Sequence, residues 1–285
     1  MKNNNALLSF IAFGDPQISH LSSLRERRVS AALEQIKKSD EKFDALVLLG
    51  DITEYGRESE FNTMARLLNG ASEKYDSVFA VSGNHDIRLK NHKKQIQRFN
   101  RFLNNVEGGK CVGSQHYYYS YTVKGYKFIM LGADRSAFEG TSLGRNQLIW
   151  LENELKTADK NKPVFIFNHQ PLKNTNGLPY TWLGRGKWRG SVGWDNEKLR
   201  AIFEKYNNII IYITGHLHFG ASDYNYEDCG AFKAVNVPTV GVINHGECDY
   251  NSQGFLFYVY DDKIVIKQRG FADGKDFNDI IIELK

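Results

Sequence analysis

The sequence predicts an α/β fold organised on a mostly parallel sheet, and two observations predict it. Three times in the N-terminal third, a short apolar run ends at a polar turn and passes into a segment of helical periodicity. Strand, turn, helix is the order of right-handed βα units, whose strands pair in parallel and whose active sites lie at the carboxyl ends of those strands. Beyond these repeats the chain becomes progressively richer in strands, above all over residues 231–285.

The first run, residues 7–13, ends at Gly14-Asp15-Pro16-Gln17, and residues 22–38 follow with Leu24, Val29, Leu33 and Ile36 at near-helical intervals. The second, residues 45–49, ends at Gly50-Asp51 and leads through a polar loop with Glu54, Gly56 and Arg57 to a helix around residues 61–68. The third, residues 78–81, ends at Ser82-Gly83-Asn84-His85-Asp86, and a basic helical stretch covers residues 91–103. Residues 117–123 and 126–131, joined by Lys124-Gly125, read as a β-hairpin. Residues 146–158 form an amphipathic helix, and residues 163–167 a buried strand ending at Asn168-His169. An insertion rich in Gly and Trp, residues 173–194, precedes a helix at 196–206 and a strand at 209–213, which ends at Thr214-Gly215-His216-Leu217-His218. The tail offers strands at 231–235, 255–260, 264–267 and 280–282. With no repeat of fixed period and no linker, residues 1–285 read as one domain.

Composition narrows the function. Apolar residues at 41% and aromatics at 13% are ample for a core and speak against disorder. A net charge of +4 is too mild to imply nucleic acid or an anionic membrane, but it suits a small anionic substrate. No stretch approaches the ~20 apolar residues of a membrane span. Cys111, Cys229 and Cys248 are odd in number and form no C-x-x-C pair, against a disulfide framework or a thiolate metal site. The N-terminal apolar stretch lacks the cleavage site of a signal peptide, so the expected compartment is the cytoplasm.

Five strand ends carry candidate ligands: Asp15 with Gln17, Asp51, Asn84, His169, and His216 with His218. Each alone has a plain structural explanation as a turn former, a helix cap, or a core or surface histidine. Together they point to a metal centre. Carboxylate, amide and imidazole without thiolate fit Mn²⁺, Fe or Zn²⁺, and one aspartate between two groups of ligands suggests a bridged pair of ions. His85 can move a proton near neutral pH, and Asp86 is expected to orient its ring.

The ordered set Asp15-Pro16-Gln17, Gly50-Asp51, Gly83-Asn84-His85-Asp86, His169 and Gly215-His216-Leu217-His218 resembles the calcineurin-like metallophosphoesterases. Their pattern is D-x-H, G-D, G-N-H-[DE], H and G-H-x-H, and the resemblance covers residues 7–220. It implies a four-layer α/β/β/α sandwich, two mixed sheets flanked by helices, with the strand-rich C-terminal part in the second sheet. It also implies that Asp15 and His218 hold a first metal and that Asn84, His169 and His216 hold a second, with Asp51 bridging them. His85 would face the leaving group, steadied by Asp86. Gln17 departs from the pattern, standing where the family usually has His. An amide oxygen is a harder, weaker ligand than imidazole, so a first site that includes Gln17 would favour Mn²⁺ or bind more loosely. Some branches of the superfamily, including Mn²⁺-dependent hydrolases of nucleoside-diphosphate-linked substrates, carry D-x-Q.

The chemistry implied is hydrolysis of a small phosphate ester or phosphoanhydride. Two ions ~3.5–4 Å apart can clamp a phosphate and bring a water towards a pKa of ~7, while His85 protonates the leaving oxygen. In the insertion, Trp182, Arg185 and Trp188 either offer rings and cations to a base and second phosphate or pack the segment onto the body. The first option favours a phosphodiesterase or nucleotide pyrophosphohydrolase. The alternatives are a phosphomonoesterase, including a protein serine/threonine phosphatase, and a non-catalytic scaffold. The oligomeric state stays open.

Overall fold

The computed structural model describes residues 6–87, 91–110, 117–178, 190–244 and 252–284. In chain order the elements are β1 (Leu8–Phe13), α1 (Ser23–Lys38), β2 (Ala45–Leu49), α2 (Glu58–Asn69), β3 (Val78–Val81), the single-turn α3 (Asn84–Ile87) and α4 (His92–Asn105). They continue with β4 (Tyr119–Val123), β5 (Tyr126–Met130), β6 (Arg135–Ala137), β7 (Gly140–Ser142), α5 (Arg145–Thr157), β8 (Val164–Phe167) and α6 (Asn196–Lys205). The last are β9 (Ile210–Thr214), β10 (Tyr226–Asp228), β11 (Lys233–Asn236), β12 (Gln253–Val259), β13 (Lys263–Gly270) and β14 (Ile280–Glu283).

Strands β2 and β3 are apolar and buried along their whole length, which is how strands covered on both faces read. They continue a parallel ladder from β1 in a six-stranded sheet of order β14-β13-β12-β1-β2-β3. The second six-stranded sheet, β10-β11-β9-β8-β5-β4, is parallel from β11 to β5 and antiparallel at both edges. The sheets meet face to face around Phe10, which stacks on Phe257 in its own sheet and presents T-shaped contacts to Phe128 and Phe165, each at 5.2 Å, in the other. Such ring pairs add ~0.5–1.5 kcal/mol each beyond the burial of their area. Residues of α1, α2 and α4 join this central core, while α5 and α6 cover a second apolar cluster on the outer face of the second sheet. The result is the expected four layers of two mixed sheets flanked by helices.

One expectation is corrected. The C-terminal strands do not all build the second sheet: β12, β13 and β14 extend the first, and only β10 and β11 join the second. The reason lies in β1, which has β2 on one edge and needs a partner on the other. Strand β12, buried at every position, fills that edge antiparallel with Phe257 opposite Phe10. The hairpin β6–β7 is too short and polar to register as strand in the sequence. The predicted hairpin at Lys124-Gly125 closes with φ of +49° and +82°, the doubly positive turn that matches strand twist.

A cleft of about 550 Å³ opens beside the amino ends of β1, β5, β8 and β9, lined by Leu7, Tyr126, Lys162, Pro163 and Ile209 among others. None of the predicted ligands lines it; they gather at the carboxyl ends.

Candidate metal centre

The turns that end these strands run through backbone that L-residues seldom adopt. φ is +46° at Asp15, +41° at Gln17, +45° at Asp51, +73° at His216 and +53° at His218. Each such conformation costs ~1–3 kcal/mol and persists only where its surroundings over-determine it. Two glycines let the turns approach. A Cβ on Gly83 would collide with the backbone nitrogen and Oδ1 of Asp51, and one on Gly50, itself at φ +82°, would lie 2.6 Å from His169 Nδ1.

Asp51 sits in the middle. Its Oδ2 is 3.2 Å from Gln17 Nε2 and 3.3 Å from His169 Nε2, while its Oδ1 accepts the backbone N–H of His85 at 2.8 Å. To one side, Asp15 Oδ1 lies 2.9 Å from His218 Nε2, and its Oδ2 accepts the His216 N–H at 2.9 Å. To the other, His169 Nε2 is 3.1 Å from both Asn84 Oδ1 and His216 Nδ1. Ligand atoms of Asp51, His169 and His216 lie within 4.8 Å of one another. The Nδ1–H of His169 donates to the Leu49 carbonyl at 2.6 Å, which fixes the tautomer and leaves Nε2 for the centre. Of the seven predicted ligands, only His218 is more than 4% exposed.

His85 stands at the edge of this group, its side chain 15% exposed and its Nε2 3.8 Å from Asp51 Oδ2. The expected pairing with Asp86 is not formed. Neighbouring residues on a helical turn point about 100° apart, and Asp86 turns away from the His85 ring. The Asp86 carboxylate instead accepts the N–H groups of Ile52, Thr53 and Gly83 at 2.9–3.2 Å and the Thr53 hydroxyl at 2.7 Å. It ties the turn after β2 to the turn after β3. Burial and the negative charge of Asp51 push its pKa up to about 6, against those hydrogen bonds.

The partner of His85 is Glu54, which sequence reasoning missed. His85 Nδ1 lies 3.1 Å from the Glu54 carbonyl and 3.4 Å from its Oε1. The other carboxylate oxygen pairs with Arg25, whose guanidinium also donates to the Gln17 carbonyl at 3.1 Å. Burial raises the Glu54 carboxyl, but the hydrogen bond and charge of His85, with Arg25, hold it below its usual range. The available signal was an acid three residues beyond Asp51 in the same loop. Glu139 and Gln170 were missed too: both reach Asn84, at 3.1 and 3.4 Å. Trp182, Arg185 and Trp188 lie outside the described residues.

Residues 8–220 match the family model of the calcineurin-like phosphoesterases. The chain belongs to that family. A probable glycerophosphodiester phosphodiesterase GpdQ of Arcobacter nitrofigilis is 24% identical over 182 residues, which are 62% of this chain and 57% of that protein. A manganese-dependent ADP-ribose/CDP-alcohol diphosphatase of Xenopus tropicalis is 26% identical over 132 residues, 46% of this chain and 33% of that protein. The chain thus spans less than two thirds of the length of these curated relatives. Purple acid phosphatase PPD1 from yellow lupin seeds shares the fold, with a TM-score of 0.67 at 13% identity, covering 97% of this chain and 53% of that one.

Calcineurin-like phosphoesterases use two divalent metal ions, and the electrostatics of this site fit them. Burial would raise the Asp51 carboxyl, yet His169 and His85 outweigh it and hold Asp51 well below the carboxylate range. Burial works against a charged His169, yet Asp51 and Asp15 push it up to about 10, so the carboxylates call for positive charge at this point. Burial and the neighbouring His169 keep His216 well below its ordinary value, a neutral imidazole with a lone pair to give. Its Nε2 is buried with no hydrogen-bond partner among the described residues, which costs ~1–3 kcal/mol unless a cation or other group satisfies it. No helix among the described residues is long and apolar enough to cross a membrane.

Proposed function

We propose that this chain hydrolyses phosphate diesters or nucleotide-type phosphoanhydrides at a dinuclear metal centre. The position of Asp51 carries the reading, because it lies between two groups of donors and touches both, Gln17 at 3.2 Å and His169 at 3.3 Å. Asp15, Gln17 and His218 would hold one ion, Asn84, His169 and His216 the other, and Asp51 both. When bound, the ions supply charge to clamp a phosphate and Lewis acidity that makes water nucleophilic near neutral pH.

The chain's own residues supply orientation and a proton. Leu49, through its carbonyl, keeps the His169 ring facing the centre. His85, with Nδ1 on Glu54, turns Nε2 inward and donates a proton to the departing oxygen. Glu54 and Arg25 orient that imidazole and stabilise its charged form. The names of the two curated relatives, a phosphodiesterase and a diphosphatase, support the substrate class. Trp182, Arg185 and Trp188 are the proposed contacts to the base and second phosphate. We place the protein in the cytoplasm because its N-terminal apolar stretch does not read as a signal peptide and its three cysteines offer no disulfide framework, and we read residues 1–285 as one domain.

The test is turnover of a glycerophosphodiester, ADP-ribose and a phosphomonoester with Mn²⁺, Zn²⁺, Mg²⁺ or Fe. Diester or diphosphate hydrolysis should be fastest with Mn²⁺ and vanish with a chelator. Faster monoester turnover, or turnover without metal, overturns the reading.

Gln17 bears on the choice of metal. Its Nε2 faces Asp51, so ligation through Oε1 requires the amide turned over. Gln17→His should tighten the first site and shift its preference from Mn²⁺ towards Zn²⁺ or Fe, because imidazole is the softer, stronger ligand. Calorimetric titrations that match in affinity and preference would mean that Gln17 is no ligand.

A further inference from the structure

The hairpin β6–β7 reaches the metal centre through its tip. Ala137 pairs with Gly140, so Phe138 and Glu139 form a two-residue turn. φ is +61° at Phe138, where such turns usually carry glycine. A phenylalanine there holds backbone strain that outside contacts must maintain. Those contacts run to the donors proposed for the second ion. Glu139 Oε2 accepts an N–H of Asn84 Nδ2 at 3.1 Å. The Glu139 carbonyl accepts Gln170 Nε2 at 3.2 Å, and Gln170 directly follows His169.

A side-chain amide has two chemically different ends, and only its oxygen binds a cation. Asn84 is 2% exposed, so solvent does little to choose between them. With Nδ2 committed to Glu139, Oδ1 is turned to the centre, 3.1 Å from His169 Nε2. Gln170 Nε2, 3.4 Å from Oδ1, opposes a flipped amide because two N–H groups would then face each other.

We propose that Glu139 is a positioning residue for the second metal site. Its carboxylate selects the Asn84 orientation that presents oxygen, and it polarises the amide so that this oxygen is a stronger donor. The inference rests on the reading of Asn84 as a ligand. Its physical logic is that of a carboxylate behind a ligating imidazole, where loss of the outer partner typically costs ~10–100-fold in metal affinity.

The experiment is calorimetric titration of Mn²⁺ into wild-type, Glu139→Ala, Glu139→Gln and Asn84→Ala proteins, with the melting temperature of each metal-free form. Wild type should show two binding events. Glu139→Ala should weaken one of them ~10–100-fold, leave the other unchanged, and melt close to wild type. Glu139→Gln, which can accept the same N–H without the charge, should fall between. If Asn84→Ala loses one event while Glu139→Ala binds as wild type, the positioning role is overturned and the ligand reading of Asn84 stands. If Asn84→Ala keeps both events, the ligand reading fails and the inference falls with it. Equal weakening of both events with a lowered melting temperature would make the hairpin a structural brace and overturn the proposal.

Discussion

Asp51→Asn is expected to bind fewer than two ions and to lose on the order of 10³-fold or more in kcat, the several kcal/mol that metal charge contributes to a phosphoryl transition state. The change is small in shape and large in chemistry. Asn keeps one oxygen, which remains on the His85 N–H now held at 2.8 Å by Oδ1. Its nitrogen then replaces Oδ2, facing Gln17 Nε2 at 3.2 Å and His169 Nε2 at 3.3 Å. A shared anionic oxygen becomes a donor among nitrogens, and both proposed sites lose a ligand at once. Metal content of the purified variant, measured beside its kcat, decides the matter. Two ions per chain together with wild-type turnover would end the dinuclear reading.

His85→Ala should do the opposite: keep the ions and lose the proton. His85 holds Asp51 through its backbone N–H, which alanine retains, so the geometry of the centre survives. General acid catalysis is typically worth ~10²–10⁴ in rate, but only where the leaving oxygen is basic enough to need a proton. Turnover of an alkyl diester should therefore fall within that range, while a nitrophenyl ester slows far less. Glu54→Gln should show the same dependence on leaving group at a smaller size, since Glu54 acts through the imidazole that it orients. If both ester types slowed equally with metals retained, His85 would bind the transition state without donating to it. Loss of the ions would move His85 into the ligand set.

Much of this was legible before folding. Strands β2, β3 and β8, and β9 up to Thr214, are continuous apolar runs because both of their faces are covered, and such runs stand out in any sequence. The ligand candidates were legible because βα geometry collects functional groups at strand ends, where oxygens and imidazoles break the apolar pattern. Asp15, Gln17, Asp51, Asn84, His169, His216 and His218 do converge, from turns up to about two hundred residues apart, as the Asp15–His216 hydrogen bond shows.

By itself, then, the sequence determined the longer apolar strands and the main helices, the end of the sheet at which chemistry gathers, and the donor types that meet there. It did not determine short polar elements such as β6, β7 and β10. The tertiary structure decided which neighbour each group has. An apolar strand announces that it is buried but not beside whom, because the ladder that joins β12 to β1 is made of backbone groups common to every residue. The same holds at the site. Asp86 follows His85 in the chain yet faces the loop after β2, whereas Glu54 and Glu139, 31 and 55 residues away from their partners, touch His85 and Asn84. Which carboxylate serves which side chain depends on how the turns pack, and only the folded chain specifies that.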